Sequence, residues 1–374
     1  MRVAILGAGL AGLACAYELE RLGIRPVIFE KRHRVGERFP NVEIMPQILH
    51  HRPSRDIFLE LRQHLGLPLQ PSGAITRVTL HGPSRAVTAQ GHIGYFTIRG
   101  HDDRSLERQL QRHLKAEIRF RRHPHPDRLA REFDRVVVAT GDQEVTRALG
   151  LWQRDLAGWL RGAVVRGDFD PSSLHIWFRT EYAKSGYGYL APFDERRAFA
   201  MVAVPDSNAE EVDRYWQRFL RAEGAGWKVE REAKLEKFEI GQAAAHTVGP
   251  LLLVGNAGGF VEPLVGCGQC PSLYSGVMAA REIALGDGSL TRFARRWRGW
   301  YRRLLRVRRW LSEQENSGFD RLVGALSLTG ARTALFRSPL PLIAPAGALL
   351  GALGLGTGPI PEPGHQQEPG PSPP

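Results

Sequence analysis

Arg2-Val3-Ala4-Ile5-Leu6-Gly7-Ala8-Gly9-Leu10-Ala11-Gly12 opens the chain, and Arg25-Pro26-Val27-Ile28-Phe29-Glu30 follows it closely. Residues 2–6 are a short apolar run, the pattern of a strand buried on both faces. Leu13 to Leu22 has helical spacing and few β-branched residues, and Gly23 stands where a helix C-terminal glycine belongs. The second run ends on an acid. Each glycine has a physical reason to be there. Gly7 allows a tight turn, Gly9 allows close approach to a pyrophosphate, and Gly12 allows the helix to pack on the strand. The helix N-terminus offers free N–H groups and a positive dipole to phosphates. Glu30 comes eighteen residues after Gly12, where a carboxylate accepts from a ribose 2′-hydroxyl. The stretch predicts a dinucleotide site. A secretory signal is the competing reading of the same residues, but Glu18 and Glu20 interrupt the apolar run, so no targeting peptide is expected.

The whole chain has 374 residues, 43% apolar and 24% charged, enough for two domains with their own cores. Its net charge of +12 points to an anionic partner: a dinucleotide, a phosphorylated substrate, an acidic membrane surface or nucleic acid. Three cysteines exclude a disulfide scaffold and favour a reducing compartment, the cytoplasm. No metal-ligand cluster stands out, and the thirteen histidines are scattered.

Beyond Glu30, a loop through Arg38 leads to a helix running from Asp56 to Leu65, with Ser54 as its expected cap and Gly66 as its end. Pro71 to Phe96 alternates apolar and polar residues, with turns expected at His81-Gly82-Pro83 and Gln90-Gly91. Arg99 is a candidate phosphate contact, and Ser105 caps a helix from Leu106 to Leu114. Arg135-Val136-Val137-Val138-Ala139-Thr140-Gly141-Asp142 is a strand ending in small residues that admit a ligand. His175–Phe178, Gly186–Phe193 and Ala198–Val204 read as successive antiparallel strands, followed by an amphipathic helix from Ala209 to Ala222. Leu251-Leu252-Leu253-Val254-Gly255-Asn256-Ala257-Gly258-Gly259-Phe260 is a second strand and turn. Val261 to Cys270 then leads into a helix rich in small residues. Asn256 can bind sugar hydroxyls, and a glycine-lined helix start can set N–H groups against developing negative charge.

These motifs together resemble the FAD-dependent oxidoreductases of the para-hydroxybenzoate hydroxylase fold, and within that group the geranylgeranyl reductase family. The resemblance spans about residues 1 to 310 and rests on Gly7 to Gly12 with Glu30, on Val137 to Gly141, and on Gly255 to Gly259 running to Pro263, Gly266 and Gly268. Tyr187-Gly188-Tyr189-Leu190-Ala191-Pro192 is similar to the aromatic signature that lines the lipid cavity in archaeal members, with Tyr189 standing for Trp and Ala191 for Phe. The family's usual acid in the second motif is Asn256 here, and its cysteine motif after the second strand is absent.

The resemblance implies an α/β fold: a Rossmann-like FAD-binding domain interleaved with an antiparallel-sheet substrate domain, plus C-terminal helices. Residues 1–75, 99–150 and 245–288 would form the FAD-binding domain, and 76–98 and 151–244 the substrate domain. Residues 289–338 would be helical, and 339–374 an apolar and then Pro-rich tail with a disordered end. The resemblance further implies non-covalent FAD, reduced by NAD(P)H or a ferredoxin-like protein, and addition of hydride and proton to isoprenoid double bonds. Gly7, Ala8, Gly9, Ala11, Gly12, Glu30, Lys31 and Arg38 are its candidate cofactor contacts in the first motif. Arg99, Thr140 and Gly141 follow in the middle of the chain. Gly255, Asn256, Pro263, Gly266, Gly268 and Gln269 complete the set, and Tyr187, Tyr189 and Pro192 would line the substrate cavity. No catalytic acid is assigned. A flavin monooxygenase shares every FAD residue, and a flavin-bearing protein without a redox role or a membrane adaptor with a degenerate site are further alternatives.

Cys267 and Cys270 form a C-x-x-C, either a redox dithiol or two small buried side chains. Thr291 to Trp310 holds nine arginines and no acid, interleaved with aromatic residues. It reads either as a basic amphipathic helix at the inner face of a membrane or as a helix packed on the protein; a nucleic-acid surface finds no other support. Ser338 to Pro361 is uncharged but broken by prolines and glycines, a poor spanning helix.

Overall fold

The structure is a computed structural model that describes residues 1–37, 40–49, 56–337 and 346. The chain opens with β1 (Val3–Leu6), α1 (Leu10–Arg21), β2 (Val27–Glu30), β3 (Asn41–Pro46) and α2 (Ile57–Gln63). Next come β4 (Gly73–His81), β5 (Ala86–Arg99), α3 (Leu106–Gln111), β6 (Glu117–Phe120), α4 (Pro126–Glu132), β7 (Arg135–Val138) and α5 (Glu144–Ala148). Then follow β8 (Trp152–Arg166), β9 (Ser173–Trp177), α6 (Thr180–Ala183), β10 (Tyr187–Pro192), β11 (Arg197–Pro205), α7 (Ala209–Glu223) and β12 (Lys228–Ala243). The remainder is β13 (Thr247–Val248), β14 (Leu251–Leu253), α8 (Gln269–Leu285), α9 (Ser289–Ser312), α10 (Asn316–Ser327) and α11 (Thr329–Arg337).

Two sheets organise these elements. The first has the order β13-β14-β7-β1-β2-β6, parallel except for β13. Its strands are apolar on both faces because helices cover both. Val3 and Ile5 of β1 pack with α1 and α8, while Ala4 and Leu6 pack with Phe29 and Leu129 on the other side. The second sheet has the order β12-β8-β11-β10-β9-β4-β5-β3, antiparallel except where β4 runs beside β9. Its strands alternate as a half-covered sheet must. Leu190, Ala200 and Val202 pack beneath α7 with Trp216 and Phe219. Tyr189, Ala191, Phe199 and Met201 form the opposite face with Phe96.

Several expectations need correction. Gln90-Gly91 is no turn: β5 runs straight through it, and Gly91, with φ +138°, sits where the pairing with β4 slips between Ile75 and Arg77. The glycine marks an irregularity, not a reversal. β3 lies in a stretch that reads as connection, and it adds residues 41–46 to the second sheet. The long strands β8 and β12 also escape the sequence reading. Their outward residues are charged and pair across the ladder, Arg161 with Glu232 at 2.7 Å and Arg166 with Glu230 at 2.6 Å. Asp56 caps α2 by accepting from Leu59 N at 2.9 Å; Ser54 lies outside the described residues, as do Arg38, residues 338–345 and 347–374.

The basic helix α9 turns its aromatic side inward. Phe293 stacks between Phe260 and Tyr274, Trp297 Nε1 donates to the Gly259 carbonyl at 3.1 Å, and the Tyr301 hydroxyl donates to Asp155 at 2.8 Å. These residues are core, not interfacial anchors. Among the described residues no helix is long and apolar enough to cross a membrane.

Candidate cofactor and substrate site

The ends of β1, β2 and β7 converge on one crevice. Gly7 (φ +101°) turns the chain so closely against the end of β7 that a Cβ would strike the Ala139 backbone. At Gly9 an added Cβ would meet no atom within 4 Å, so the space above the start of α1 is open. No side chain caps that helix start, which leaves its N–H groups free for an anion. The buried Glu30 carboxylate is fixed at the tip of β2, accepting from Ala8 N at 2.8 Å and Arg32 N at 2.9 Å. Lys31 reaches Asp142 at 3.5 Å across the mouth, and the Thr140 hydroxyl donates to the same aspartate at 3.0 Å.

The second glycine motif closes the crevice from the other side. Gly255 (φ +57°) donates its N–H to the Ser275 hydroxyl at 3.0 Å, and its Cα faces the Ala11 methyl group. Asn256 Nδ2 donates to the Gly141 carbonyl at 3.2 Å, which joins this turn to the end of β7. A Cβ on Gly268, the residue before α8, would lie 3.6 Å from Asn256 Oδ1. Pro263, Gly266 and Gly268 thus fall on one loop beside Asn256. Gln269 is buried, its carbonyl accepting from the Thr97 hydroxyl at 2.8 Å. The open glycine turn, the uncapped helix and the anchored acid match what FAD requires: room for a pyrophosphate, donors toward it, and an acceptor at the ribose.

The second sheet meets this loop with its apolar face. The Tyr187 hydroxyl donates to the Val265 carbonyl at 2.6 Å, and the Tyr189 hydroxyl to the Val42 carbonyl at 2.6 Å. Both phenols are pushed up, first by burial. Half-buried Ile44, Leu80, Ile176, Tyr187 and Phe193 pack on this face, and Phe336 of α11 lies against it. Pro192 does not join them: alternation along β10 puts it on the side of Leu190, beneath α7, and Phe193 stands on the tyrosine side instead.

Arg99 is committed elsewhere. Its guanidinium pairs with Glu107 at 2.7 Å and with Glu43 at 3.2 Å, and those carboxylates hold it firmly protonated. All three cysteines are free. Burial, with Glu262 and Glu43 near Cys267 and Glu60 near Cys270, pushes both thiols of the C-x-x-C up, the reverse of what a redox dithiol needs.

Glu262 gives no signal in the sequence. It is fully buried and accepts from three amides of the loop after it. An acid before a proline carries no local sign of burial.

Residues 5–63 match the family of NAD(P)-binding Rossmann-like domains. The chain is 26% identical over 341 residues to digeranylgeranylglycerophospholipid reductase 2 of Methanothermobacter thermautotrophicus, covering 79% of this chain and 83% of that protein. A geranylgeranyl bacteriochlorophyll reductase-like protein of Thermoplasma acidophilum shares the fold with a TM-score of 0.68 and 17% identity, over 94% of this chain and 98% of that one. The flavin-dependent monooxygenase PieE, solved with FAD and substrate, aligns with a TM-score of 0.61 and 15% identity, over 94% and 72% of the two chains. The fold is that of the FAD-dependent oxidoreductases.

Replacing Glu30 by Ala is expected to weaken FAD binding about tenfold or more, the value of a charge-assisted hydrogen bond, without unfolding the chain. Quenching of flavin fluorescence on titration, with circular dichroism as the folding control, measures both.

Proposed function

We propose that the chain is an FAD-dependent reductase of carbon–carbon double bonds in an isoprenoid or another apolar lipid. One observation carries the substrate class: the second sheet has a half-buried apolar face bearing Ile44, Leu80, Ile176, Tyr187 and Phe193, which Tyr187 joins to the loop of residues 263–268 at Val265. The sequence similarity to an isoprenoid-lipid reductase over most of both chains supports it.

In this reading Gly7, Ala8, Gly9, Ala11 and Gly12 with the α1 N-terminus receive the pyrophosphate of a non-covalent FAD. Glu30 and Lys31 take the adenosine ribose region, Thr140 and Gly141 border it, and Asn256 binds the ribityl chain. In the stretch from Gly266 to Gln269 the N–H groups of Gly266 and Cys267 are taken by Glu262, so those of Gly268 and Gln269 are the ones that face the flavin edge, where they favour the reduced form. Tyr187 and Tyr189 wall the apolar cavity; their hydroxyls are occupied by Val265 and Val42, so they present ring surface to a substrate. When bound, FAD supplies the hydride chemistry, and the protein orients the substrate and excludes water. The electron donor is NAD(P)H or a ferredoxin-like protein.

The outer face of α9 favours peripheral membrane contact from the cytoplasmic side. Arg295, Arg296, Arg302, Arg303 and Arg306 occupy an arc of roughly 120° along about 17 Å of helix. Among the described residues none of them has an acidic partner. With the aromatic residues turned inward, contact would be electrostatic, without insertion.

Anaerobic absorption spectroscopy tests the reaction. NADPH, NADH or dithionite should bleach the oxidised flavin, and an isoprenoid alkene should restore it with oxygen excluded. Recovery only on admitting oxygen would instead make the chain a monooxygenase, and reduction without any substrate turnover would leave the flavin a non-redox role. For the membrane contact, co-sedimentation with phosphatidylglycerol vesicles should be strong in low salt, fall steeply as salt rises, and be absent after R295E/R296E/R302E/R303E; binding that ignores salt or survives the charge reversal would contradict it.

A further inference from the structure

The loop between the second glycine motif and α8 is folded around a carboxylate. Glu262 Oε2 accepts from Leu264 N at 2.7 Å, and Oε1 accepts from Val265 N at 3.0 Å and Cys267 N at 2.8 Å. The backbone closes the same ring: Gly266 N donates to the Glu262 carbonyl at 3.1 Å, and Glu262 N donates to the Cys267 carbonyl at 3.3 Å. The side chain has no solvent exposure, and among the described residues no cationic nitrogen lies within ion-pair distance of it. Its electrostatic counterpart is Arg308 of α9, which is 6% exposed and, among the described residues, bonds Ser185 through the carbonyl at 2.9 Å and the hydroxyl at 3.3 Å. Among the described residues neither the buried acid nor the buried base is in a contact pair, and each feels the other's charge at longer range. Burial of either would be costly without such compensation.

We propose that Glu262 is a positioning residue: its carboxylate, gathered by three loop amides and countered by Arg308, holds residues 263–268 in the form that receives the flavin. This inference rests on the FAD reading above. Glu262 is too deeply buried to meet cofactor or substrate itself, so it acts through Pro263, Gly266, Cys267 and Gly268. The Tyr187 hydroxyl secures the same loop from the second sheet at Val265, so the charge state of Glu262 also bears on the cavity wall.

The ionisation of this acid has a defined sign. Burial pushes the carboxyl up to about 7, while the amides of Cys267, Leu264 and Val265 and the positive field of Arg308 pull it down. The other titratable groups facing it are the Cys267 thiol, the Tyr187 phenol and the Tyr301 phenol of α9, all pushed up by burial and neutral at that pH. The ionised form, which accepts all three bonds, grows as pH rises through about 7 and is lost as pH falls. Folding runs the opposite way, because an acid raised above its ordinary value is favoured by protonation in the folded chain. A structural acid would show only the second dependence; a positioning acid makes FAD affinity rise with pH.

The test is FAD titration into the deflavinated full-length protein across neutral pH, read by flavin fluorescence. The wild type should gain affinity as pH rises through about 7 and then level off. Glu262→Gln keeps the size of the side chain but sets an amide N–H against a loop N–H. It should bind FAD about tenfold more weakly at alkaline pH and lose that pH dependence. Arg308→Gln removes the counter-charge and should move the midpoint to higher pH. Wild-type affinity with a wild-type pH profile in Glu262→Gln overturns the proposal. Should that variant fail to fold, an unmoved midpoint in Arg308→Gln overturns it equally. A wild type that takes up no FAD removes the cofactor reading and this inference together, before any variant is made.

Discussion

Helices α1 and α8 touch backbone to backbone. A Cβ on Gly276 would strike the Ala11 carbonyl, and one on Gly12 would strike the carbonyl of Gly7. This contact joins two glycine motifs that lie far apart in the chain, at residues 7–12 and 255–259. A charge cluster reinforces it: Glu18 of α1, nearly buried, receives Arg281 of α8 at 2.7 Å and Arg21 of its own helix at 2.6 Å. The ends of β1, β7 and β14 are thereby held side by side. A larger side chain at this helix contact would separate the two halves of the crevice before it reached the fold elsewhere.

The second sheet has one sealed face and one half-open face. One face is sealed by α7, whose capping box at Asn208 and Glu211 and buried Val212, Trp216 and Phe219 make it a firm lid on that side. The other face is left half open and turned to the loop that follows the second glycine motif. Hydroxyls that would otherwise be stranded there bond backbone carbonyls, Tyr187 that of Val265 and Tyr189 that of Val42. The surface that remains is apolar, which is the ground for proposing a lipid there rather than a sugar or an amino acid.

Much of this is legible from residues alone, and the failures have physical causes. The first strand–turn–helix unit is readable because buried parallel strands and glycine turns leave short, local patterns. β12 is not, because Lys228-Val229-Glu230-Arg231-Glu232-Ala233-Lys234 carries helix-favouring charges, and the partners of Glu230 and Glu232, Arg166 and Arg161, lie across the ladder on β8. Helix α9 is recognisable as basic and amphipathic, yet its composition does not say whether protein or lipid meets its aromatic face; Gly259, Phe260 and Tyr274 meet it. Arg99 reads as a phosphate contact because its partners, Glu43 and Glu107, belong to no recognisable motif. Glu262 is invisible for the opposite reason, since its partners are the amides of the residues beside it and only the fold buries them.

Every functional assignment depends on a single crevice shared by the two glycine motifs. Its most direct measurement is the absorption spectrum of the full-length protein after incubation with FAD and removal of the free cofactor by gel filtration. An oxidised-flavin spectrum retained at one flavin per chain is the predicted result. A colourless protein that is folded but retains no FAD would contradict a shared cofactor crevice and every assignment built on it.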